Sequence, residues 1–296
     1  MIEVKDLCFS FGAKVVLEDV SFSVEDGCVL GIVGINGAGK STLLRSISGV
    51  LRPEGTVLYD GRSPESAETR QDIFFLPDDP YYERGTRPDT LFGFYRTFYP
   101  DIDRERFDSL LSVYGIKPKG HLRNFSKGIR RQVFVALALS IKPKYLLLDE
   151  AFDGLDPLSR KIFKDAIREL VSEKGSTVLV TSHSLLELED FCDRYIMIDK
   201  NTITSTGSTG ERRANVFKFA LAFSEPKDEA FFAPLSPISL EIKGRFADVV
   251  LEGEHEEIAA KLDSLGALLT EELPLDFEAT FIHDVLRNRG EENEKK

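Results

Sequence analysis

Hydrophobic and polar positions alternate over residues 2–9 and 20–24, the two-residue period of half-buried strands. Val29–Val33 is instead an unbroken apolar run, as a strand covered on both faces requires. A glycine-rich turn follows at once. From Ser41 onward Leu43, Leu44, Ile47 and Val50 recur at helical spacing, until residues 49–53 stop the run. The pattern so far is strand, loop, helix. Strand signals fade between about 80 and 123, where 91–98 and 104–114 have helical periods, the second closed by Gly115. They return at Tyr145–Leu148, 177–181 and 195–198, separated by helical stretches, which predicts a parallel α/β sheet around an inserted helical subdomain at about 80–140. A Ser/Thr/Gly-rich stretch, 202–210, marks a boundary. Beyond it, strands at 216–223, 238–242 and 247–251, with helices at 254–265 and 278–286, predict a small α+β domain over 211–288, ahead of a frayed charged tail at 289–296.

The chain has 296 residues, 42% hydrophobic and 30% charged, enough for one large domain and one small one and unlike a disordered chain. Its net charge of −12 argues against a nucleic-acid partner, although a local basic groove would escape this count. The longest apolar stretch, 133–141, is half the ~20 residues that a bilayer-spanning helix needs. The first residues alternate charge with apolar character and lack the basic head and apolar stretch of a secretory signal. Cys8, Cys28 and Cys192 form neither a zinc pattern nor a disulfide framework, so a reducing, cytoplasmic setting is expected.

Chemistry concentrates first at Gly34-Ile35-Asn36-Gly37-Ala38-Gly39-Lys40-Ser41, which fits GxxxxGK[ST]. In such a loop, backbone N–H groups at a helix N-terminus wrap phosphates, and glycine allows the close approach. Lys40 is expected to reach the β- and γ-phosphates, Ser41 to ligate Mg²⁺, and Thr42 to cap the helix.

Further along stand Phe125-Ser126-Lys127-Gly128-Ile129, Leu146-Leu147-Leu148-Asp149-Glu150, Gly154-Leu155-Asp156 and Thr181-Ser182-His183. Taken with the phosphate loop, their order and spacing resemble the ATP-binding cassette family, the nucleotide-hydrolysing subunits of ABC transporters, over about residues 1–210. The resemblance implies a P-loop NTPase of ABC type, α/β with an antiparallel β subdomain and the helical insertion. It implies ATP and Mg²⁺ as cofactors, with Asp149 and Asp78 joining Ser41 around the metal. Glu150 is then the general base and His183 the γ-phosphate contact, while Phe11, supported by Val16, stacks on adenine. Ser126, Lys127 and Gly128 stand in the place of the family's Leu-Ser-Gly-Gly-Gln signature, which faces the γ-phosphate of a different cassette, with Asp156 along that interface. The expected partners are therefore a second cassette, the same chain ahead of a different one, and an integral membrane transporter subunit that holds the protein at the inner face of the cell membrane.

Two departures stand out. Asp78 occupies the place of a metal-coordinating Gln, and the signature has Lys127 for its first glycine and Ile129 for its glutamine. Aromatics Tyr81, Tyr82, Phe92, Phe94, Tyr95, Phe98 and Tyr99 could meet the membrane partner or pack the insertion's own core. The short insertion, the Pro77-Asp78-Asp79-Pro80 loop and the C-terminal run 275–282 resemble cassettes of bacterial exporters, so export is expected over import. The alternative from another class is a soluble ABC protein acting on ribosomes or nucleic acid.

Overall fold

The computed structural model describes residues 1–183, 188, 191–208 and 215–273. The chain divides into two compact units, Met1–Ser208 and Thr209–Lys296. In the first unit, β1 (Ile2–Phe11), β2 (Lys14–Val24) and β4 (Glu54–Tyr59) form an antiparallel sheet in the order β2-β1-β4. Strands β3 (Val29–Val33), β5 (Ile73–Leu76), β6 (Tyr145–Leu148), β7 (Thr177–Ser182), β8 (Arg194–Asp199) and β9 (Thr202–Ser208) form a second sheet, β5-β6-β7-β3-β8-β9. It is parallel except for β9, which runs antiparallel to β8. The Ser/Thr/Gly-rich stretch expected to end the strand pattern thus carries one more strand, at a sheet edge where polar, half-buried residues are tolerated.

Helix α1 (Lys40–Ile47) shares one core with both sheets: Leu43, Leu44 and Ile47 cluster with Ile2, Val4 and Leu17 from one sheet and with Leu30, Ile32 and Ile198 from the other. The buried Tyr59 hydroxyl donates to the Ile47 carbonyl at 3.0 Å, tying β4 to the end of α1. A short helix, α2 (Ala67–Asp72), leads into β5.

Between β5 and β6 lie α3 (Pro88–Arg96), α4 (Arg104–Val113) and α5 (Lys127–Ile141). Their starts follow from local chemistry: Pro88 opens α3, the Asp103 carboxylate accepts the Arg106 N–H, and the Ser126 hydroxyl accepts the Ile129 N–H. The aromatic set divides by burial. Phe92 is buried against Phe107, and Tyr99 donates to the Ile73 carbonyl at 2.7 Å, burial pushing its phenol up to about 12. Tyr81, Phe94 and Phe98 remain exposed. Helix α6 (Pro157–Lys174), capped by the Asp156 carboxylate, connects β6 to β7.

The parallel strands β3, β6 and β7 end at one edge, with Val33 level with Ser182 and Leu148 with Val180. The phosphate loop, Asp149 and His183 each follow one of these ends. Functional groups far apart in sequence are thereby gathered at the carboxyl edge, where open α/β sheets bind ligands.

In the second unit, β10 (Val216–Ala222), β11 (Ser239–Lys243), β12 (Phe246–Glu252) and β13 (Leu269–Leu273) form an antiparallel sheet in the order β11-β12-β10-β13. Phe219, Leu221, Val249 and Leu251 pack with Phe232 of α7 (Glu229–Phe232) and with Ile258 and Leu262 of α8 (His255–Asp263). Strand β13, absent from the sequence reading, is exposed over four of its five residues and is defined by pairing with β10. The expected helix 278–286, the tail 289–296 and the exporter-like run 275–282 lie outside the described residues.

Candidate functional site

The phosphate loop borders an open cleft of about 490 Å³, with Asn36, Gly37, Gly39, Lys40, Ser41 and Thr42 on its wall. Gly39 has φ 108° at the helix start, and a Cβ there would meet the Val16 carbonyl at 3.0 Å. Gly34 is required for a different reason from the one its motif suggests. Its Cβ would lie 2.5 Å from the Ile198 carbonyl, so the close approach is to strand β8. Gly34 and Ala38 shape the loop from behind and do not line the cleft. Thr42, expected as a cap, sits in the first turn of α1 instead: the helix begins at Lys40, with Gly39 in the cap position and no side-chain cap.

Lys40 is buried and donates to the Gly34 carbonyl at 2.7 Å, with Glu150 Oε1 3.4 Å from its ammonium. Ser41 Oγ donates to Asp149 Oδ1 at 2.9 Å, as does Thr181 Oγ1 at 2.9 Å. Asp149 is 1% exposed, and burial raises its carboxyl above the ordinary range despite these bonds. Its other oxygen, Oδ2, is buried with no hydrogen-bond partner among the described residues. A bare buried carboxylate oxygen beside a hydroxyl is the donor set of a hard divalent cation, so these residues fit Mg²⁺.

Glu150 takes a left-handed backbone, φ 47°, and its N–H donates to Thr181 Oγ1 at 2.8 Å. Its Oε2 lies 3.0 Å from His183 Nδ1, and Asp153 Oδ1 is 3.9 Å from the same nitrogen. Glu150, Asp153 and His183 all line the cleft. At the far end Phe11, 54% exposed, presents its ring, with Val16 beside it and the Phe9 ring edge-on at 5.0 Å. Lys14 also lines this end. The two-residue turn Gly12-Ala13 makes it the cross-strand partner of Phe11, a signal present in the sequence and not used.

Asp78 reaches the cleft wall, but its Oδ1 accepts from Arg131 Nη2 at 2.6 Å and lies 3.4 Å from Lys127 Nζ. Ser126, Lys127, Gly128 and Asp156 are not on the cleft wall. Ser126 caps α5, Gly128 packs so closely that a Cβ would lie 2.4 Å from the Gly154 carbonyl, and Asp156 accepts the Leu158 and Ser159 N–H groups. Arg131, which sequence reasoning passed over, is buried and also donates to the Pro77 and Asp149 carbonyls.

Sheet order, phosphate loop and carboxylate pair define a P-loop nucleotide-hydrolysing fold. The family model described as "ABC transporter" matches residues 17–153. The ABC transporter ATP-binding protein YtrB of Bacillus subtilis (strain 168) is 30% identical over 285 residues, spanning 95% of this chain and 97% of that protein. The lipopolysaccharide export system ATP-binding protein LptB of Haemophilus influenzae (strain ATCC 51907 / DSM 11121 / KW20 / Rd) is 31% identical over 222 residues, 70% of this chain and 90% of that one. Among solved structures, an ATP-binding subunit of an ABC transporter superposes with a TM-score of 0.65 over 89% of this chain and 99% of that one, at 23% identity. The chain belongs to the ABC transporter ATP-binding protein family, and it is an ATPase.

Proposed function

We propose that the chain binds ATP with Mg²⁺ in this cleft and hydrolyses it as one of two cassettes that drive export through a separate membrane subunit. The observation that carries the reading is the convergence of Lys40, the Ser41–Asp149 pair with its bare oxygen, and the Glu150–His183 pair on one wall of the cleft. Phe11 stacks on the adenine, with Val16 behind it. The loop N–H groups of Asn36, Gly37, Gly39, Lys40, Ser41 and Thr42 receive the phosphates, and Lys40 leaves the Gly34 carbonyl for them. Ser41 and Asp149, with Asp78, would hold a Mg²⁺ ion, which when bound would supply charge neutralisation for the phosphates. Glu150 accepts the proton of the attacking water, and His183 orients that water and the γ-phosphate.

Ser126, Lys127, Gly128 and Asp156 lie off this wall, which supports the reading that they complete the site of a second cassette, expected to be the same chain. Tyr81, Tyr82, Leu91, Phe94 and Tyr95 line a separate pocket of about 480 Å³ on the helical subdomain, a surface suited to a membrane subunit. No described helix is long and apolar enough to cross a membrane, in keeping with a cytoplasmic subunit held at the membrane by its partner. Export over import is supported by relatives such as LptB. A role on ribosomes or nucleic acid is not favoured, since YtrB, which matches nearly the whole chain, is an ABC transporter protein.

The test is ATP hydrolysis and ATP-dependent dimerisation of the wild type and Glu150→Gln, each with and without the co-expressed membrane neighbour. The reading expects a trapped Glu150→Gln dimer and turnover that responds to the neighbour. Neither turnover nor a trapped dimer in any combination would overturn it.

A further inference from the structure

One imidazole in the cleft faces two carboxylates. His183 Nδ1 lies 3.0 Å from Glu150 Oε2 and 3.9 Å from Asp153 Oδ1. Ionised carboxylates only accept, so the proton of the neutral ring sits on Nδ1, bonded to Glu150, with Asp153 just beyond hydrogen-bond reach. Glu150 is meanwhile occupied at both oxygens, since its Oε1 faces the Lys40 ammonium at 3.4 Å. To meet a water molecule, its carboxylate has to turn away from one of these neighbours. An imidazole that loses the acceptor on Nδ1 loses its fixed orientation as well.

Asp153 stands ready as the other acceptor. Its N–H donates to the Glu150 carbonyl at 3.0 Å, closing a turn whose inner residues, Ala151 and Phe152, are buried. Gly154 continues the chain at φ 72°, with its carbonyl packed against Gly128. The backbone that carries Asp153 is thus held on both sides. The side chain itself is 41% exposed, lines the cleft, and has no other hydrogen-bond or ion-pair partner among the described residues. About 1 Å of side-chain movement brings it to hydrogen-bond distance of Nδ1. We propose that Asp153 is a positioning residue for His183, taking over the Nδ1–H when Glu150 turns to the attacking water, so that the imidazole keeps its orientation while the Glu150 carboxylate is released. The proton stays on Nδ1 throughout and only its acceptor changes. This rests on the roles proposed above for Glu150 and His183.

The experiment is steady-state hydrolysis of ATP with Mg²⁺ by the full chain, with Asp153 varied in the wild-type and His183→Ala backgrounds. Asp153→Ala is expected to lower kcat about tenfold with KM within about twofold, the share of one hydrogen bond to a charged group. Asp153→Asn keeps an acceptor without its charge and is expected to lose about threefold. In the His183→Ala chain, Asp153→Ala is expected to change kcat by less than about twofold, because no imidazole is left to hold. An aspartate that only shapes its turn would instead lower kcat by the same factor in both backgrounds. A readout that needs no turnover is nitrogen-15 NMR of the histidines at a pH where they are neutral, with His183 identified by its absence from the His183→Ala spectrum. In the Glu150→Ala chain the ring is expected to keep its Nδ1–H tautomer on Asp153, and to lose that preference once Asp153→Ala is added. A wild-type kcat in Asp153→Ala, an equal loss in both backgrounds, or loss of the tautomer with Glu150→Ala alone would overturn the inference. If His183→Ala itself keeps the wild-type kcat, the role proposed for His183 fails and the inference falls with it.

Discussion

Replacing Thr181 with valine keeps the shape of a fully buried side chain and deletes one oxygen. That oxygen accepts the Glu150 N–H at 2.8 Å and donates to Asp149 Oδ1 at 2.9 Å. Leaving a part-buried N–H without its acceptor costs about 1–3 kcal/mol, and losing a bond to a carboxylate about 1.5 kcal/mol more. Ser41 still serves Asp149, so the net destabilisation should be about 2–4 kcal/mol. For a unit of this size each kcal/mol shifts the midpoint by about 2–4 °C, so a fall of about 5–15 °C is expected. On the proposed roles of Asp149 and Glu150, the effect on catalysis should appear in kcat more than in KM, because both bonds position these two residues and neither touches Phe11. Calorimetry of the nucleotide-free chain and steady-state ATPase assays would check both, with Thr181→Ser as the control that keeps the hydroxyl. A valine variant within about 0.5 kcal/mol of wild type, with kcat unchanged, would refute the organising role of this hydroxyl. A larger loss in the serine variant would assign the role to the methyl group.

Phe11→Ala should weaken ATP binding about tenfold through loss of base stacking, while Phe11→Tyr should keep affinity near wild type; titration calorimetry distinguishes the two, and equal affinities for all three chains would remove Phe11 from the site. Gly128→Ala forces a Cβ against the Gly154 carbonyl, 2.4 Å away, and should cost about 1–3 kcal/mol in a thermal melt; an unchanged midpoint would contradict that packing. The bond from Lys142, then the Arg106 N–H, holds the Asp103 carboxyl below its ordinary value. Its stabilisation is complete above the unfolded value of about 4 and is lost as pH falls through the lower folded one, so Asp103→Asn should flatten the acid limb of the stability curve. Equal slopes below about pH 4 would refute this.

Strand β3, the loop and α1 were legible because their signals are local: an apolar run, glycines, then a helical period beginning beside Ser41. The caps at Asp103, Ser126 and Asp156 are local in the same sense, each accepting an N–H two or three residues ahead. What stayed hidden depends on contacts between distant segments. Strand β13 has the composition of a solvent-exposed stretch and becomes a strand only by pairing with β10. Gly34 reads as a phosphate-loop glycine, yet what fixes it is the backbone of β8, more than 160 positions away in sequence. Arg131 sits in a helix with a continuous buried face, and periodicity alone does not separate a buried guanidinium with three acceptors from a solvated one.

Asp149 and Glu150 show how the fold brings two adjacent side chains to one task. In an extended strand, neighbours point to opposite faces, so a continued β6 would carry one carboxylate away from the cleft. The strand ends at Leu148, and the Asp149 N–H still donates to the Leu76 carbonyl of β5 at 2.9 Å, so Asp149 keeps the sheet's register and stays buried. Glu150 then turns left-handed, which for an L-residue costs about 1–2 kcal/mol. The turn directs its carboxylate to Lys40 and His183, at 3.4 and 3.0 Å. The strain is offset by the bond from the Glu150 N–H to Thr181, the next strand's last buried hydroxyl before Ser182. The three parts depend on one another: without the turn Glu150 leaves the cleft, without Thr181 the turn has no partner, and without the β7 register Thr181 is not there to supply one. The Glu150 carboxylate is thus placed by a strained peptide whose cost is met by the neighbouring strand, and the short motif Leu148-Asp149-Glu150 acquires its geometry only in that sheet.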